Sequence, residues 1–466
     1  MFKKLLLLAL ASNIVISCTN NIATTNIKVN DIKQESIIEK TNNNLLVRFN
    51  DNVSDKEINT IKNTFAIKSF EMISNELKLA KFELENNSQK ESFKEKYEKN
   101  NLFKYIENDQ IINLAEYKTY PSLENKNFSV KSTVEPNDSF YGLQWNLPDI
   151  GVDKAWAITT GSSNITVAVI DSGVDPNHPD LSDNLLPLID VWNDSGNDDI
   201  YEIGGKQINY GGKDGNGHGT HVTGIIGAMI NNSLGVSGIA GNVKILPIKA
   251  TNYMGDTSAS IIAKSILKAV DNKVNVINLS IGGPKSETTQ ALVDAVNLAI
   301  NKNIVFVSAS GNESDRENNK IADVAIPAAY QNVITVAANT KYDKVGNYSN
   351  GGEEVEVTAP GGGAKTYEGD KIYSTWPTYI TYEGFRTGIR GPYAWLSGTS
   401  MSSAHVAGIA ALLLTSEPNL TVQQVRIRIL STVTDIEDAG FDTKTGYGKV
   451  NAYKALTSNN HDFITE

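Results

Sequence analysis

Four polar residues stand where an apolar run of this sequence ends or begins, and their side chains together suit nucleophilic acyl transfer. Asp171 directly follows VAVI, and Asn312 ends FVSASGN. His218 opens HGTHVTGIIG, and Ser400 precedes a run that ends in GIAALLL. A hydroxyl is a weak nucleophile alone, but an imidazole can take its proton while a carboxylate holds the imidazole in the required tautomer. An amide, or the free N–H groups at a helix start, can bind the oxyanion.

The elements that must position these residues alternate between strand-like and helix-like runs. The strand-like runs NITVAVI, VKILPI, VNVINLSI, NIVFVSA and VITVAA are apolar on both faces, as parallel strands covered by helices must be. The runs GTHVTGIIGAMI, SASIIAKSILKAV and TTQALVDAVNLAI lie between them and are predicted helices. The alternation predicts an α/β fold with an open sheet, and ligands bind such sheets at the carboxyl ends of the strands.

The motifs DSG, HGTH, SGN and GTSM follow one another in that order, and residues 137 to about 455 resemble the subtilisin-like serine peptidases. The resemblance implies a three-layer fold with a mostly parallel central sheet. It also implies a serine endopeptidase in which Asp171 orients the imidazole, His218 is the general base and Ser400 is the nucleophile. Asn312 and the backbone N–H of Ser400 would bind the oxyanion. His221 is assigned to helix packing.

Three positions depart from the family's usual pattern, which reads GTSMASPHVAG and HGTHVA. Ser402 and Ala404 replace an alanine and a proline, and Thr223 replaces an alanine. All three side chains are small, and loss of a proline near a helix start removes only a preset φ angle. We therefore expect activity to survive these changes.

In the family, an extended peptide substrate lies between two strand segments and is held through its backbone. The segments LSIGG and SASG match those that line the pocket for the side chain before the scissile bond, which implies substrate contacts from Ser280, Gly282, Ala309 and Gly311. Small residues leave this pocket roomy, so we expect large apolar or aromatic side chains there. The long segment Gly361 to Ala394 either forms a rim over the cleft or packs its aromatic residues internally, and internal packing is favoured.

The stretch INNSLGV resembles the family's calcium loop, in which carbonyl groups and an asparagine side chain bind a hard cation. The resemblance implies structural Ca²⁺ held by Ile230, Asn232, Leu234 and Val236 together with the carboxylates of Asp138 and Asp180. The alternative is a plain surface loop. The acidic run Asn193 to Asp199 is interpreted as a solvated loop rather than a second metal site.

Residues 44–114 show a β-α-β-β-α-β pattern that resembles the family's inhibitory pro-domain, a small ferredoxin-like α+β unit. An intramolecular inhibitor of this kind would plug the cleft until it is cut. Residues 115–136 lose periodicity and are predicted to form a cleavable linker. The peptidase domain is predicted at 137–457, with a tail at 458–466.

The N-terminus, MFKKLLLLALASNIVISC, has two lysines and an apolar run too short to span a bilayer, which predicts a signal peptide at 1–17. Its end resembles a bacterial lipoprotein box, which implies lipidation of Cys18, and the alternative is a chance cysteine beside an ordinary cleavage site. Residues 18–43 are polar and predicted to be a flexible tether. The expected location is the bacterial cell envelope, anchored at Cys18, with the peptidase released if the linker is cut.

Composition limits the classes of partner that the protein can bind and the interactions that can stabilise its fold. The formal charge of −11 argues against a nucleic-acid surface, because an acidic protein repels phosphate backbones. Cys18 is the single cysteine, so no intrachain disulfide can form. The remainder of the chain has no stretch apolar enough to cross a bilayer, so membrane contact is expected only through the N-terminal lipid.

The sequence leaves three hypotheses for the function. The first is an exported, lipid-anchored serine endopeptidase made as a zymogen, with protein or peptide substrates. The second is a catalytically silent surface protein that uses the same scaffold for binding. Retention of Asp171, His218, Asn312 and Ser400 favours the enzyme, because a silent relative is free to lose any of them. The third, a relative with a glutamate base, is disfavoured because His218 occupies the base position.

Overall fold

The computed structural model describes residues 43–64, 67–97, 101–114, 118–120, 135–203, 206–363 and 370–459. The predicted signal peptide, Cys18 and most of the tether and tail lie outside these ranges. Within them, no helix is both long and apolar enough to cross a bilayer.

The described strands and helices follow the chain in an order that begins with alternating short elements and continues with a larger α/β unit. The strands are β1 (Asn44–Phe49), β2 (Ile67–Ser74), β3 (Leu79–Leu84), β4 (Phe103–Asn108), β5 (Ile111–Leu114), β6 (Lys118–Tyr120), β7 (Thr166–Asp171), β8 (Ile189–Asp190), β9 (Ile200–Ile203), β10 (Lys206–Asn209), β11 (Lys244–Lys249), β12 (Asp256–Ser258), β13 (Val276–Leu279), β14 (Ile281–Gly282), β15 (Val305–Ala309), β16 (Ile334–Asn339), β17 (Val357–Pro360), β18 (Ile372–Thr375) and β19 (Tyr393–Ser397). The helices are α1 (Asp55–Thr64), α2 (Asn87–Tyr97), α3 (Asn146–Asp149), α4 (Val152–Ala155), α5 (Val191–Asp194), α6 (His218–Gly227), α7 (Ala259–Asp271), α8 (Gln290–Asn301), α9 (Tyr382–Thr387), α10 (Thr399–Ser416), α11 (Val422–Leu430) and α12 (Ala452–Thr457).

The N-terminal module, residues 44–114, forms a four-stranded antiparallel sheet in the order β2-β3-β1-β4. Its core is rich in aromatic side chains, and Phe49, Phe82 and Phe93 are buried in it. The predicted β-α-β-β-α-β order is confirmed. One face of the sheet, with Leu45 and Val47, lies in the module's own core, and the other, with Leu46 and Leu79, joins a core of the main module.

The main module, residues 137–457, is built on a seven-stranded sheet in the order β17-β16-β15-β13-β7-β11-β8, with parallel pairing throughout. Side chains alternate between its two faces, so Val167 and Val169 join the core with α6 and α10, while Ala168 and Ile170 join the core with α7 and α8. The predicted three-layer α/β fold is confirmed.

Two small sheets join the modules. Strand β5 lies between β12 and β14, antiparallel to both, and β6 pairs with the edge of β19. The strand β6 falls inside the segment 115–136 that was predicted to be an irregular linker. Its backbone pairing comes from a distant strand, which the local sequence pattern does not reveal.

Three of the described aromatic residues between Gly361 and Ala394 are buried. Trp376 is 1% exposed, and Tyr373 and Tyr393 are buried with it on this side of the molecule. Phe385 is exposed. Internal packing is therefore confirmed for Tyr373, Trp376 and Tyr393, whereas Phe385 on α9 lies on the surface.

Candidate active site

The carboxylate and the imidazole predicted to work together are hydrogen-bonded. Asp171 is the last residue of β7, His218 is the first residue of α6, and both are fully buried. His218 Nδ1 lies 2.8 Å from Asp171 Oδ1, which also accepts the backbone N–H of Ser172 at 2.8 Å. Because an ionised carboxylate only accepts, Nδ1 carries the proton and Nε2 is left as the basic nitrogen.

Ser400 is the second residue of the 18-residue helix α10. It is fully buried, and its Oγ has no hydrogen-bond partner among the described residues. The first turn of a long helix presents backbone N–H groups and a positive end to any negative charge that forms there. A buried serine hydroxyl that is not occupied as a helix cap suits a nucleophile better than a structural role.

Asn312 is tied to the residue that precedes Ser400. Its Oδ1 accepts hydrogen bonds from Thr399 N at 2.9 Å and from Thr399 Oγ1 at 2.8 Å. This pair of bonds fixes the orientation of the amide, so that its Nδ2 side is the donor side. An amide held beside the nucleophile in this way can donate a hydrogen bond to a developing oxyanion.

The two helices that carry His218 and Ser400 pack against each other, and both contact β7. A further bond connects α10 with the end of β13, since Ser280 Oγ lies 3.1 Å from Ser403 Oγ. The fold thus collects the catalytic candidates at the carboxyl ends of the central strands, as expected for an α/β sheet.

The predicted pocket residues include a buried serine and two glycines. Ser280 is fully buried and its hydroxyl accepts from Asn278 Nδ2 at 2.9 Å, so its side chain serves packing. Gly282 pairs with Asn113 of β5, and Gly311 has a φ of +105°. A Cβ added at Gly311 would lie 2.3 Å from Asn350 Nδ2, so only glycine fits there.

Strand β12, which lies along the proposed substrate channel, was not predicted from the sequence. Strand β12 pairs with β5 on the side opposite β14, and Leu114 N donates to Gly255 O at 2.8 Å. The sequence signal for this strand is weak, because it consists of one glycine, Gly255, between the runs VKILPI and SASIIAKSILKAV. Three residues that pair only with a distant strand have no periodicity of their own.

The predicted calcium loop brings two buried carboxylates to one stretch of backbone. Asp138 accepts from Asn231 N and Asn232 N at 3.0 and 2.9 Å, and Asp180 accepts from Asn232 Nδ2 and Val236 N at 2.7 and 2.9 Å. Burial, reinforced by the charge of Asp138, raises the pKa of Asp180 to about 6.

The described side chains supply neither carboxylate with a hydrogen-bonded Lys, Arg or His. They also hold no cluster of three or more His, Cys, Asp or Glu suited to a metal ion. Two carboxylates beside an exposed backbone loop nevertheless fit a hard cation, because the loop's carbonyl groups can complete an oxygen shell and the cation would neutralise the pair. Ile230 and Leu234 lie on this loop as the resemblance implied.

The acidic run at 193–199 is not fully solvated, so that expectation is wrong for its last residue. Asp199 is buried and its Oδ2 lies 2.8 Å from Lys249 Nζ, with both side chains at 0% exposure. Burial raises the pKa of Asp199, although the Lys249 charge opposes the shift. The ion pair draws the end of the run inward, because a buried lysine needs a countercharge.

His221 and the three departures from the family pattern have packing roles. His221 is fully buried, with Nε2 3.2 and 3.1 Å from the carbonyl oxygens of Ile372 and Ala394, and burial lowers its pKa to about 3. Ser402 Oγ donates to Ala359 O at 2.9 Å. Ala404 and Thr223 are fully buried.

Comparison with known proteins gives a consistent result. Residues 162–448 match the model of the "Subtilase family". The chain is 37% identical over 358 residues to a thermophilic serine proteinase of Bacillus sp. strain AK1, a match that covers 76% of this chain and 75% of the relative. It is 35% identical over 322 residues to thermitase of Thermoactinomyces vulgaris, covering 69% of this chain and 99% of thermitase.

Among solved structures, the chain is similar to fervidolysin from Fervidobacterium pennivorans, described as a keratinolytic enzyme related to subtilisin. The TM-score is 0.71 at 26% identity, and the match covers 89% of this chain and 61% of fervidolysin. A match over this much of the chain includes residues of both modules, since the main module alone is shorter than the covered length.

Proposed function

The chain belongs to the subtilase family and is a serine endopeptidase, and from that premise we propose that Asp171, His218 and Ser400 are its catalytic triad. The observation that carries the proposal is the 2.8 Å bond between His218 Nδ1 and Asp171 Oδ1 in a fully buried pair. The position of Ser400 at the start of α10, beside the tethered Asn312 amide, supports it.

The proposed reaction passes through an acyl-enzyme. Ser400 Oγ attacks the carbonyl carbon of the scissile peptide bond as His218 Nε2 takes the hydroxyl proton. Asp171 stabilises the imidazolium that results, and Asn312 Nδ2 and the backbone N–H of Ser400 donate to the oxyanion. His218 then passes the proton to the leaving amine, and a water molecule repeats the sequence to free the acid.

We further propose that the N-terminal module is an intramolecular inhibitor. Strand β5 fills the channel between β12 and β14 as an extended peptide would, through backbone hydrogen bonds. The rest of the module docks on α7 and α8. Arg48 forms an ion pair with Asp294, whose Oδ2 also accepts from Tyr105 OH at 2.8 Å, and Lys264 Nζ lies 2.5 Å from Glu71 Oε1.

The proposed maturation site lies between β5 and β6. Leu114 is bound to Gly255 O, and Lys118 pairs with Ser397, three residues before Ser400. Four residue steps reach at most about 14 Å. Because β5 pairs with the channel strands β12 and β14, and β6 pairs with the strand that leads to Ser400, we propose that the enzyme cuts itself between Leu114 and Lys118.

Calcium is proposed as a structural ion at the loop that follows α6. Asp138 and Asp180 would supply carboxylate oxygens, Asn232 its side-chain oxygen, and Ile230, Leu234 and Val236 their carbonyl groups. The bound ion would neutralise the buried carboxylates and join the start of the main module to this loop. It would take no part in bond cleavage.

The substrate pocket before the scissile bond is proposed to accept large apolar or aromatic side chains. The proposed lining residues Gly282, Ala309 and Gly311 have little or no side chain, which would leave the pocket wide. The main contact with substrate would be backbone pairing along β12 and β14, which does not depend on substrate sequence.

Export and lipid attachment at Cys18 are proposed from the sequence. One relative, from Bacillus subtilis, carries the name minor extracellular protease. A lipid at Cys18 would lie on the inhibitor side of the proposed cut, so maturation would release the peptidase from the envelope.

Expression of the full chain tests these proposals together. Wild type should yield a mature form whose N-terminal sequence begins between residues 115 and 118, whereas Ser400→Ala should remain a full-length, membrane-bound precursor. A mature form that appears equally in Ser400→Ala would contradict self-cleavage. A mature enzyme that stays with the membrane without residues 44–114 would refute release from a lipid anchor.

A further inference from the structure

The carboxylate of Asp214 is fully buried and accepts five hydrogen bonds. Its Oδ1 accepts from Ser172 Oγ at 2.9 Å, Asn216 N at 3.0 Å and Gly217 N at 2.8 Å. Its Oδ2 accepts from Thr220 N at 2.9 Å and Thr220 Oγ1 at 2.7 Å. Bonds to an ionised acceptor are stronger than neutral ones, so this group is a rigid junction.

The donors of Asp214 lie on both sides of the proposed base and on the strand end that carries its partner. Asn216 and Gly217 precede His218 in the chain, and Thr220 follows it within the first turn of α6. Ser172 follows Asp171 directly and its Oγ also accepts the N–H of Gly219 at 3.0 Å. One carboxylate thus joins the end of β7 to the start of α6, the two elements whose relative position sets the Asp171–His218 bond.

The loop before His218 is also held from its other side. Asp214 N donates to Tyr379 OH and Val174 O, both at 3.1 Å. Gly217 has a φ of +113°, and a Cβ there would lie 2.3 Å from the ring of Trp376. These contacts hold the backbone of the loop from one side, and the Asp214 carboxylate holds it from the other.

We propose that Asp214 is a positioning residue for the peptidase reaction, which holds the His218 imidazole at the angle and distance that Asp171 and Ser400 require. The proposal rests on the catalytic triad proposed above. Asp214 does not touch the reacting atoms and acts through the backbone on either side of His218. Misplacement of a reacting group by about 1 Å can cost on the order of 100-fold in rate, so a loosened loop should lower turnover more than binding.

Asp175 provides a matched comparison in the same region. It is equally buried, and its carboxylate accepts from Asn177 N, Thr378 N and Thr378 Oγ1 at 3.0, 2.9 and 2.7 Å. None of these donors flanks His218. Asp175→Asn therefore replaces a carboxylate that is buried to the same degree, without removing the hydrogen bonds that hold the start of α6.

The kinetic test compares Asp214→Asn with Asp175→Asn in the mature enzyme that each full chain produces. We expect Asp214→Asn to lower kcat by about 10- to 100-fold with KM within about twofold, and Asp175→Asn to change kcat by less than about threefold. Equal kcat losses in the two variants at matched thermal stability would overturn the proposal. Absence of activity in wild type would instead refute the triad, which keeps the two failures distinct.

A second measurement needs no maturation or activity. In the full-length Ser400→Ala chain, the Nδ1 proton that His218 shares with Asp171 should give a downfield proton resonance in the NMR spectrum. We expect this signal to shift or broaden in Asp214→Asn and to persist in Asp175→Asn. An unchanged signal in Asp214→Asn would contradict positioning by this carboxylate even if that variant fails to mature.

Discussion

Two pairs of helices in the main module differ in which part of the chain holds their first turns. In the catalytic pair, the start of α6 donates to the carboxylate of Asp214, and Thr399, the first residue of α10, donates to Asn312 Oδ1. In the docking pair, α7 and α8, the first turns are held by carboxylates of the N-terminal module. Asp109 accepts from Ser260 N and Oγ at 2.9 and 2.7 Å, and Glu107 accepts from the backbone N–H groups that open α8.

The hydrogen bonds that are lost when the inhibitor leaves are therefore different from those that hold the catalytic residues. Loss of residues 44–114 would uncover N–H groups at the starts of α7 and α8, which water can satisfy. The bonds at the start of α6 would remain, because every donor and acceptor there belongs to the main module. Inhibition and turnover should therefore respond to different mutations.

The largest effect should come from the oxyanion donor of the catalytic pair. Asn312→Asp keeps an oxygen for Thr399 but replaces the donating Nδ2, so kcat should fall by about 10²- to 10³-fold with little change in KM. Steady-state kinetics of the mature enzyme measures both. Asn184→Asp is a matched control, since Asn184 is also 8% exposed and its Nδ2 donates to Gly227 O and Gly241 O, away from Ser400 in the sequence. A kcat loss in the control as large as in Asn312→Asp would contradict an oxyanion role.

Calcium would give the catalytic pair a further support, because its loop follows directly after α6. Saturating calcium should stabilise the full-length Ser400→Ala chain by about 2 to 3 kcal/mol, and a chelator should remove that gain. Asp180→Asn should abolish most of the difference. Thermal unfolding with calcium and with chelator measures it, and identical midpoints in the parent chain would refute a structural calcium site.

The docking pair should respond to loss of single hydrogen-bond acceptors in the inhibitor. Glu107→Gln and Asp109→Asn each replace one accepting oxygen with an NH2 group, so one donor at a helix start loses its acceptor. This costs about 1 to 2 kcal/mol, or roughly 5- to 30-fold in inhibition constant. Titration of mature peptidase with the separate N-terminal module measures this.

Glu76→Gln is the matched control for the docking pair. Glu76 is 56% exposed and pairs with Lys302 across the same interface, and exposed pairs contribute little. If Glu76→Gln weakened inhibition as much as Glu107→Gln, the helix starts would not be the centre of the docking surface.

The smallest effect is a pH dependence confined to the docking pair. Burial raises the pKa of Glu107 above its ordinary 4.5 and that of Asp109 above its ordinary 3.8 in the docked state. The docked state therefore holds protons more tightly than the separated one, so inhibition should tighten as pH falls through the raised pKa values toward the ordinary ones. Inhibition constants measured across this pH range test the direction of the effect. Glu107→Gln should make the pH dependence weaker. Looser inhibition in acid, with both modules folded, would contradict it.

Much of the fold could be predicted from the sequence because it rests on local patterns. Apolar runs such as VAVI and FVS are buried on both faces of the sheet, and the motif residues fall where such runs end. The same logic gave Asp171, His218, Asn312 and Ser400 as one set.

The contacts that set the inhibitor and the histidine loop could not be predicted this way. Asp109 meets Ser260 across 151 residues and Glu107 meets Gln290 across 183, so neither carboxylate has a local pattern to mark it. Asp214 stands four residues before His218, where a polar residue reads as an ordinary turn or cap. Its role depends on Ser172 arriving from another strand, which only tertiary structure determines.

Covalent labelling tests the central claim most directly. Mature enzyme treated with a fluorophosphonate and mapped by peptide mass spectrometry should carry one adduct, on Ser400, at a rate that falls when His218 is replaced by alanine. The Ser400→Ala chain should carry none at that position. An unlabelled wild type, or an adduct on another serine at the same rate, would contradict a triad of Asp171, His218 and Ser400.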